Sequence, residues 1–211
     1  MAYFPLFVEL SGKKCVIVGG GTVARRKAEK LLDFGADLTV IAPKISVKLE
    51  KMPVRCVHRA FTDSDLDGAF LVIAATDDRS LNHRIYTLCT AAKIPVNSVD
   101  DAENCSFLFP ALVHEEPVTV GICTGGKAPT FAKYLRMLVD DELDTRTMKI
   151  AQILTEQRPQ VMQRFAPGAA RREAMDAILD ICLLEGELPD DAEIRSLLDR
   201  IAEAKNSGIS Q

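Results

Sequence analysis

The run Cys15-Val16-Ile17-Val18-Gly19-Gly20-Gly21-Thr22-Val23-Ala24-Arg25-Arg26-Lys27 constrains the fold more than any other stretch of the chain. An apolar, strand-favouring segment ends in Gly-x-Gly-x-x-Ala, and a helical pattern begins at once. Gly19 permits a tight turn out of the strand. Gly21 leaves room for a pyrophosphate against the backbone, and Ala24 lets the helix lie close on a sheet. The free N–H groups and positive end of such a helix attract phosphate. Asp37-Leu38-Thr39-Val40-Ile41-Ala42 reads as the next strand, entered through Gly35 as a helix C-cap. The strand–helix–strand unit therefore spans about 30 residues, as a dinucleotide-binding unit requires. The acidic residue that commonly holds the adenosine ribose is missing, because Ala42, Pro43 and Lys44 stand at the strand end. Backbone groups around Pro43 and Lys44 would have to hold the ribose. A lysine also suits a 2′-phosphate, so these residues leave NAD and NADP both open.

Composition narrows the class. A chain of 211 residues suffices for one large or two small domains with a buried core. Its net charge of −4 argues against a nucleic-acid module that relies on bulk positive charge. No apolar run approaches the roughly 20 residues that span a bilayer. The start, Met1-Ala2-Tyr3-Phe4-Pro5-Leu6, lacks the basic region of a signal peptide. Cysteines 15, 56, 89, 105, 123 and 182 form no Cys-x-x-Cys pair and sit mostly in apolar patterns, which reads as buried, reduced thiols. These features together lead to the expectation of a cytoplasmic enzyme.

Along the chain, residues 1–11 form a short arm in which Leu6, Val8 and Leu10 alternate. Strands are expected at 14–18, 37–42, 54–58, 69–75 and 95–98, and helices at 22–34 and 79–93. This alternation implies a parallel α/β sheet covered on both faces, with 69–75 as a central strand. Phe107–Leu112 and Val118–Cys123 then read as an antiparallel pair joined by His114-Glu115-Glu116-Pro117. A helix is expected from Pro129 to Leu143, and the chain beyond about 148 is helical and charged. Met175, Ile178, Leu179, Cys182 and Leu183 share one helical face, and Ile194, Leu197, Leu198 and Ile201 another, started by Pro189-Asp190-Asp191. Residues from Asn206 to the end read as frayed.

Ligands of parallel α/β sheets sit beyond the carboxyl ends of the strands. Besides the glycine turn, two segments lie there. In Ala74-Ala75-Thr76-Asp77-Asp78 small residues leave room for a cofactor and Thr76 is placed to touch it, while Asp78 or Ser80 has an alternative use as a helix cap. In Asn97-Ser98-Val99-Asp100-Asp101 a carboxylate would face the nicotinamide region. There it would take a proton as hydride leaves a substrate carbon, unless it merely caps a solvated turn. Gly121 to Lys127 matches the glycine and lysine spacing of a nucleoside-triphosphate loop, but Ala128 stands where magnesium needs a hydroxyl and Pro129 removes an N–H. The Thr124-Gly125-Gly126-Lys127 turn at a helix start still suits a carboxylate or phosphate. Lys133 and Arg136 follow three apart on that helix, either as a solvated face or as the lining of an anionic pocket. His58, His83 and His114 show no metal-ligand spacing and read as ordinary histidines, and no metal site is expected.

The chain resembles the precorrin-2 dehydrogenases, the siroheme-synthase oxidase and chelatase family. The likeness rests on Phe4-Pro5-Leu6-Phe7, Val18-Gly19-Gly20-Gly21-x-Val23-Ala24-x-Arg26-Lys27, Gly35-Ala36-x-Leu38-Thr39-Val40 and Ala74-Ala75-Thr76-Asp77-Asp78-x-x-x-Asn82. It continues through Val96-Asn97-x-Val99-Asp100, Phe107-x-Phe109-Pro110-Ala111 and Thr124-Gly125-Gly126-Lys127-x-Pro129, so that it covers about residues 3–145. The resemblance implies a Rossmann-type domain over 1–112, an intertwined dimerisation segment over 113–147 and a helical module over 148–211. It also implies a homodimer that uses NAD to oxidise precorrin-2 to sirohydrochlorin. Some members also insert ferrous iron, and a non-catalytic NAD sensor is the reading from another class. Asp100 takes the position of the family's carboxylate, and Thr22, Val23, Pro43 and Lys44 fall where the family contacts NAD. Ala128 replaces a serine that some members carry, so regulation through that hydroxyl is not expected. No methyltransferase half accompanies this sequence, so it is not expected to make its own precorrin-2. The substrate is a tetrapyrrole rich in carboxylates, and an acidic chain must concentrate cations locally to hold it. Asn97, Thr124, Gly125, Lys127, Lys133 and Arg136 are the candidate substrate contacts. His114 is a weaker candidate base for iron insertion.

Overall fold

Strand β1 (Lys14–Val18) is buried on both faces, and its alternation divides the surrounding core into two layers. The computed structural model describes residues 3–99 and 101–208, with main chain alone for 205–208. Cys15 and Ile17 meet Ala24, Ala28 and Leu31 of α1 (Thr22–Asp33), together with Leu38 and Val40 of β2 (Asp37–Ile41). Val16 and Val18 point the other way. They join Val72 and Ala74 of β4 (Leu71–Ala74) and Ile85 and Cys89 of α3 (Arg79–Ala91). Each large aliphatic side chain buried in this way contributes about 1.5–3 kcal/mol.

With β3 (Arg55–Val57) and β5 (Val96–Ser98), these strands form a five-stranded parallel sheet in the order β3-β2-β1-β4-β5. The chain winds from β1 out through β2 and β3, then returns past β1 to β4. The topological switch, where such sheets open a crevice, therefore lies between β1 and β4. The five strands predicted for this sheet all occur, and the observed pairing trims the ends of four of them. A short helix α2 (Val47–Glu50), which the sequence pattern does not announce, follows β2. Gly35, at φ +71°, ends α1 as expected, with Gly35 N–H donating to Leu32 O and Ala36 N–H to Leu31 O. Asp78, not Ser80, caps α3: its carboxylate accepts from the N–H groups of Ser80 and Leu81 at 2.9 and 3.1 Å.

The β3–β4 crossover carries the best-built ion pair of this region. Arg59 donates to both oxygens of Asp65 at 2.8 and 2.6 Å, and Asp65 also accepts from Thr62 N–H. The Arg59 hydrogen bond holds the Asp65 carboxyl down at about 2, below its ordinary 3.8. A depressed carboxylate stabilises the fold fully above its unfolded pKa and loses that contribution as pH falls toward its folded value. The melting-temperature gap between wild type and Asp65→Asn is therefore expected to stay constant near neutrality and to close between pH 3.8 and about 2. A gap that stays constant across that window contradicts this assignment.

The chain divides into two compact units, Met1–Pro110 with Cys123–Pro129, and Ala111–Ile122 with Thr130–Gln211. In the second, β6 (Ala111–Glu115) and β7 (Val118–Ile122) pair antiparallel, with Glu115 opposite Val118. This corrects the expected first strand, Phe107–Leu112. Phe107 and Phe109 pack on the α1-side core, and Pro110 has no N–H for a ladder, so pairing begins at Ala111. His114 and Glu115 then lie within the strand, and only Glu116 and Pro117 make the turn.

Helices α4 (Pro129–Glu142), α5 (Thr145–Arg164), α6 (Ala169–Leu183) and α7 (Asp191–Gly208) follow. The last three share a core built on Ile150, Val161, Ile178, Cys182, Ile194 and Leu198. Asp190 accepts from the N–H groups of Ala192 and Glu193 while Glu193 accepts from Asp190 N–H, so the predicted start of α7 is a capping box. Leu183, expected on the buried face of α6, is instead 63% exposed, because the helix ends there and its last turn leaves the core. Helix α7 continues through Gly208, past Asn206 where fraying is predicted, and residues 209–211 lie outside the described residues.

All six thiols are free, yet they are not uniformly buried. Cys15, Cys89 and Cys182 are enclosed, whereas Cys123 is exposed, a correction that follows from its place just beyond β7. Burial pushes the Cys15 and Cys89 thiols up to about 11. Among the described residues, no helix is long and apolar enough to cross a membrane.

Candidate functional site

The carboxyl ends of β1, β2 and β4 open into a cleft of about 720 Å³. Its floor is the glycine turn, and three backbone hydrogen bonds fasten that turn to its surroundings. Gly19 N–H donates to Ile41 O, Ala75 N–H to Val18 O, and Ser46 N–H to Gly20 O, all at 2.8–2.9 Å. The three glycines do different work. A Cβ on Gly19, whose φ is +129°, would sit 2.1 Å from the Ala75 carbonyl oxygen, and one on Gly20 would sit 2.1 Å from that of Lys44. A Cβ on Gly21 would meet no protein atom within 4 Å. The first two glycines let strands and loops close up, and the third leaves open space at the start of α1.

That space suits a dinucleotide phosphate. Gly21 is the N-cap of α1 and supplies no side-chain acceptor, and no acidic residue stands in the first turn. The N–H groups at the helix start thus keep their positive potential for an anion. Gly19, Gly21, Thr22, Val23, Pro43, Lys44 and Thr76 all line the cleft. Ala24 does not. It is fully buried beneath α1, where its small side chain sets the distance between helix and sheet. Thr76 has its hydroxyl committed, donating to Asn82 Oδ1 at 2.7 Å and accepting from Asp78 N–H at 3.2 Å. It therefore offers the cleft its backbone and shape.

Gly20, Ser46 and Phe61 also line the cleft and were not singled out by sequence. Gly20 occupies a position that the fingerprint leaves unspecified. Phe61 follows β3, and the rule that ligands gather past carboxyl strand ends would have reached it.

Past β5, the Asn97 side chain is buried, with its amide donating to Phe107 O at 3.0 Å and to Cys105 Sγ at 3.4 Å. Asp100 lies outside the described residues. Both of its neighbours are anchored: Val99 N–H donates to Ala74 O, and Asp101 accepts through its carbonyl and its carboxylate. Burial raises the Cys105 thiol, Asp101 adds to the rise, and Lys27 opposes it. Lys27 also lies 3.9 Å over the ring of Phe109.

In the Thr124–Lys127 turn, Gly125 and Gly126 have φ of +65° and +76°, and Thr124 Oγ1 accepts from Ala128 N–H. Lys127 is exposed at its end. Lys133 and Arg136 lie on α4, in the second unit, where Arg136 pairs with Asp140 at 3.3 Å. His58 lies 3.3 Å from Glu50, His83 bonds Asn104, and His114 bonds Thr119 across the hairpin. Among the described residues, no group of three or more His, Cys, Asp or Glu is arranged to hold a metal ion.

The glycine turn, the open helix start and the switch-point cleft together define a dinucleotide-binding α/β protein. The family described as putative NAD(P)-binding matches residues 6–111, and the chain belongs to it. Siroheme synthase of Photorhabdus laumondii subsp. laumondii is 42% identical over 82% of this chain and 37% of its own length. Siroheme synthase of Tolumonas auensis is 37% identical over 92% of this chain and 42% of its own length. The chain thus spans about two fifths of the curated relatives it matches. Among solved structures, that of "SirC, precorrin-2 dehydrogenase" shares the fold, with a TM-score of 0.70 and 22% identity over 95% of this chain and 100% of that one.

Proposed function

We propose that this chain oxidises precorrin-2 to sirohydrochlorin with NAD as the hydride acceptor. The observation that carries this reading is the open cradle at Gly21, within a chain similar to siroheme synthases over most of its length. NAD, when bound, would supply the hydride acceptor for the substrate carbon. The chain's own residues would do the rest. Thr22 and Val23, at the start of α1, hold the pyrophosphate through backbone N–H groups, with Gly19 and Gly21 giving it access. Pro43 and Lys44, which lack a carboxylate, hold the adenosine ribose through main-chain groups. Asp100 takes the proton released as the substrate is oxidised. Asn97, Thr124, Gly125, Lys127, Lys133 and Arg136 are the proposed substrate contacts, with the cations meeting its carboxylates. Holding the macrocycle beside the nicotinamide contributes on the order of 7–11 kcal/mol through positioning.

The proposed organisation is an NAD-binding domain over 1–112, a dimerisation segment over 113–147 and a helical module over 148–211, assembled as a homodimer. The free thiols suit the reducing cytoplasm. Helix α4 supports the dimer, since Phe131, Tyr134 and Leu138 recur at helical spacing and are exposed. Sedimentation that finds only a 23.1 kDa species overturns it. The activity is tested by anaerobic mixing with precorrin-2 and NAD, where NADH absorbance is expected to rise. Tight NAD binding without turnover would instead make the chain a sensor. A further spectral change on adding ferrous ion would add iron insertion to the oxidation.

A further inference from the structure

Consecutive residues on one helix grip the loops that follow β4 and β5, the first of which lines the cleft. Asn82 of α3 is 5% exposed, and both ends of its amide are used on one residue. Its Oδ1 accepts from the Thr76 hydroxyl at 2.7 Å, and its Nδ2 donates to Thr76 O at 2.9 Å. Thr76 forms the cleft wall beside Ala75, the residue whose carbonyl closes on Gly19. The next residue, His83, turns about 100° around the helix and reaches the other loop. Asn104 Nδ2 donates to the Asp101 carboxylate at 2.6 Å, which leaves Asn104 Oδ1 to accept from His83 Nδ1 at 2.9 Å. Asp101 follows position 100 directly, and Cys105 ties the same loop back to Ser98 and to the Asp101 carbonyl.

We propose that Asn82 and His83 are positioning residues that hold the cofactor wall and the carboxylate loop in register through one turn of α3. Asn82 acts through Thr76 on dinucleotide binding. His83 acts through Asn104 and Asp101 on the reacting position. The second half rests on the role proposed for Asp100, and the first half does not. The Asp78 cap fixes the start of this turn, so the two grips share one rigid base.

The test measures NAD affinity by titration and turnover at saturating NAD separately. Asn82→Ala is expected to weaken NAD binding about tenfold while turnover at saturation stays within about threefold. His83→Ala is expected to do the reverse, lowering kcat about tenfold at unchanged NAD affinity. His83→Gln, which keeps a donor toward Asn104, is expected to restore most of it. If Asn82→Ala does not fold, Asn82→Asp, which keeps the acceptor for the Thr76 hydroxyl and turns the donor to Thr76 O into a repelling oxygen, serves in its place. Amide hydrogen exchange over 101–106 is expected to speed up in His83→Ala and not in His83→Gln, a readout that needs no substrate. Equal losses of both parameters in both variants, or unchanged NAD affinity in the Asn82 variants, would overturn the proposal. A wild-type chain that binds NAD but leaves precorrin-2 untouched would overturn the proposed function, while the titration and exchange results would still decide the grips.

Discussion

Asp100→Asn is expected to lower turnover of precorrin-2 by about two to four orders of magnitude and to leave NAD affinity where it was. Asparagine has nearly the same shape as aspartate but accepts no proton at neutral pH. The loss is therefore of chemistry rather than of packing. Binding of NAD is expected to be spared because none of the residues lining the proposed cleft follows β5. Anaerobic stopped-flow with saturating NAD gives the rate, and calorimetric titration gives the affinity. A variant with more than about a tenth of the wild-type rate would remove the carboxylate at position 100 from the reaction.

The glycine turn yields the second large effect, and its strength lies in a contrast between neighbours. Gly21→Val is expected to fold normally, because φ at this position is −87° and a Cβ there meets no protein atom within 4 Å. Its branched side chain would occupy the pyrophosphate's approach. Each charge-assisted hydrogen bond lost is worth about 1.5–3 kcal/mol, so the loss of one or two weakens NAD binding by about tenfold to about twenty-thousandfold. Gly20→Ala carries a far smaller substituent yet fails differently. Its Cβ would be forced to 2.1 Å from the Lys44 carbonyl, which is backbone and cannot swing aside. A cost of about 1–3 kcal/mol in stability is expected from that overpacking, read as a lower denaturation midpoint. Equal melting of the two variants, or unchanged NAD affinity in Gly21→Val, would contradict this division of labour.

The parallel sheet was legible because β-branched runs, Gly35 and the glycine turn agree locally on one arrangement. Gly19, Gly21, Pro43, Lys44 and Thr76 were legible as one cleft for a simpler reason: each follows a strand of that sheet, and parallel strands put those ends together. What escaped notice depends on partners distant in sequence. Nothing near Gly20 announces that the Lys44 carbonyl presses on it. Phe107 and Phe109 read as strand residues because their hydrophobicity is equally consistent with packing on the α1-side core, the use they have. Asn97 reads as a substrate contact from its place at the end of β5, and nothing near it in sequence announces that its amide also holds Phe107 O. Asn82 and His83 carry no signal at all in helical periodicity, since both are polar and their partners lie on loops.

Helix α1 begins at a glycine cap with no side-chain acceptor, which leaves its leading amides open to an anion. A coenzyme diphosphate held there as proposed would cap the helix as well as ride on it. Folding and loading would then be thermodynamically linked, and the chain would gain stability from the molecule it carries.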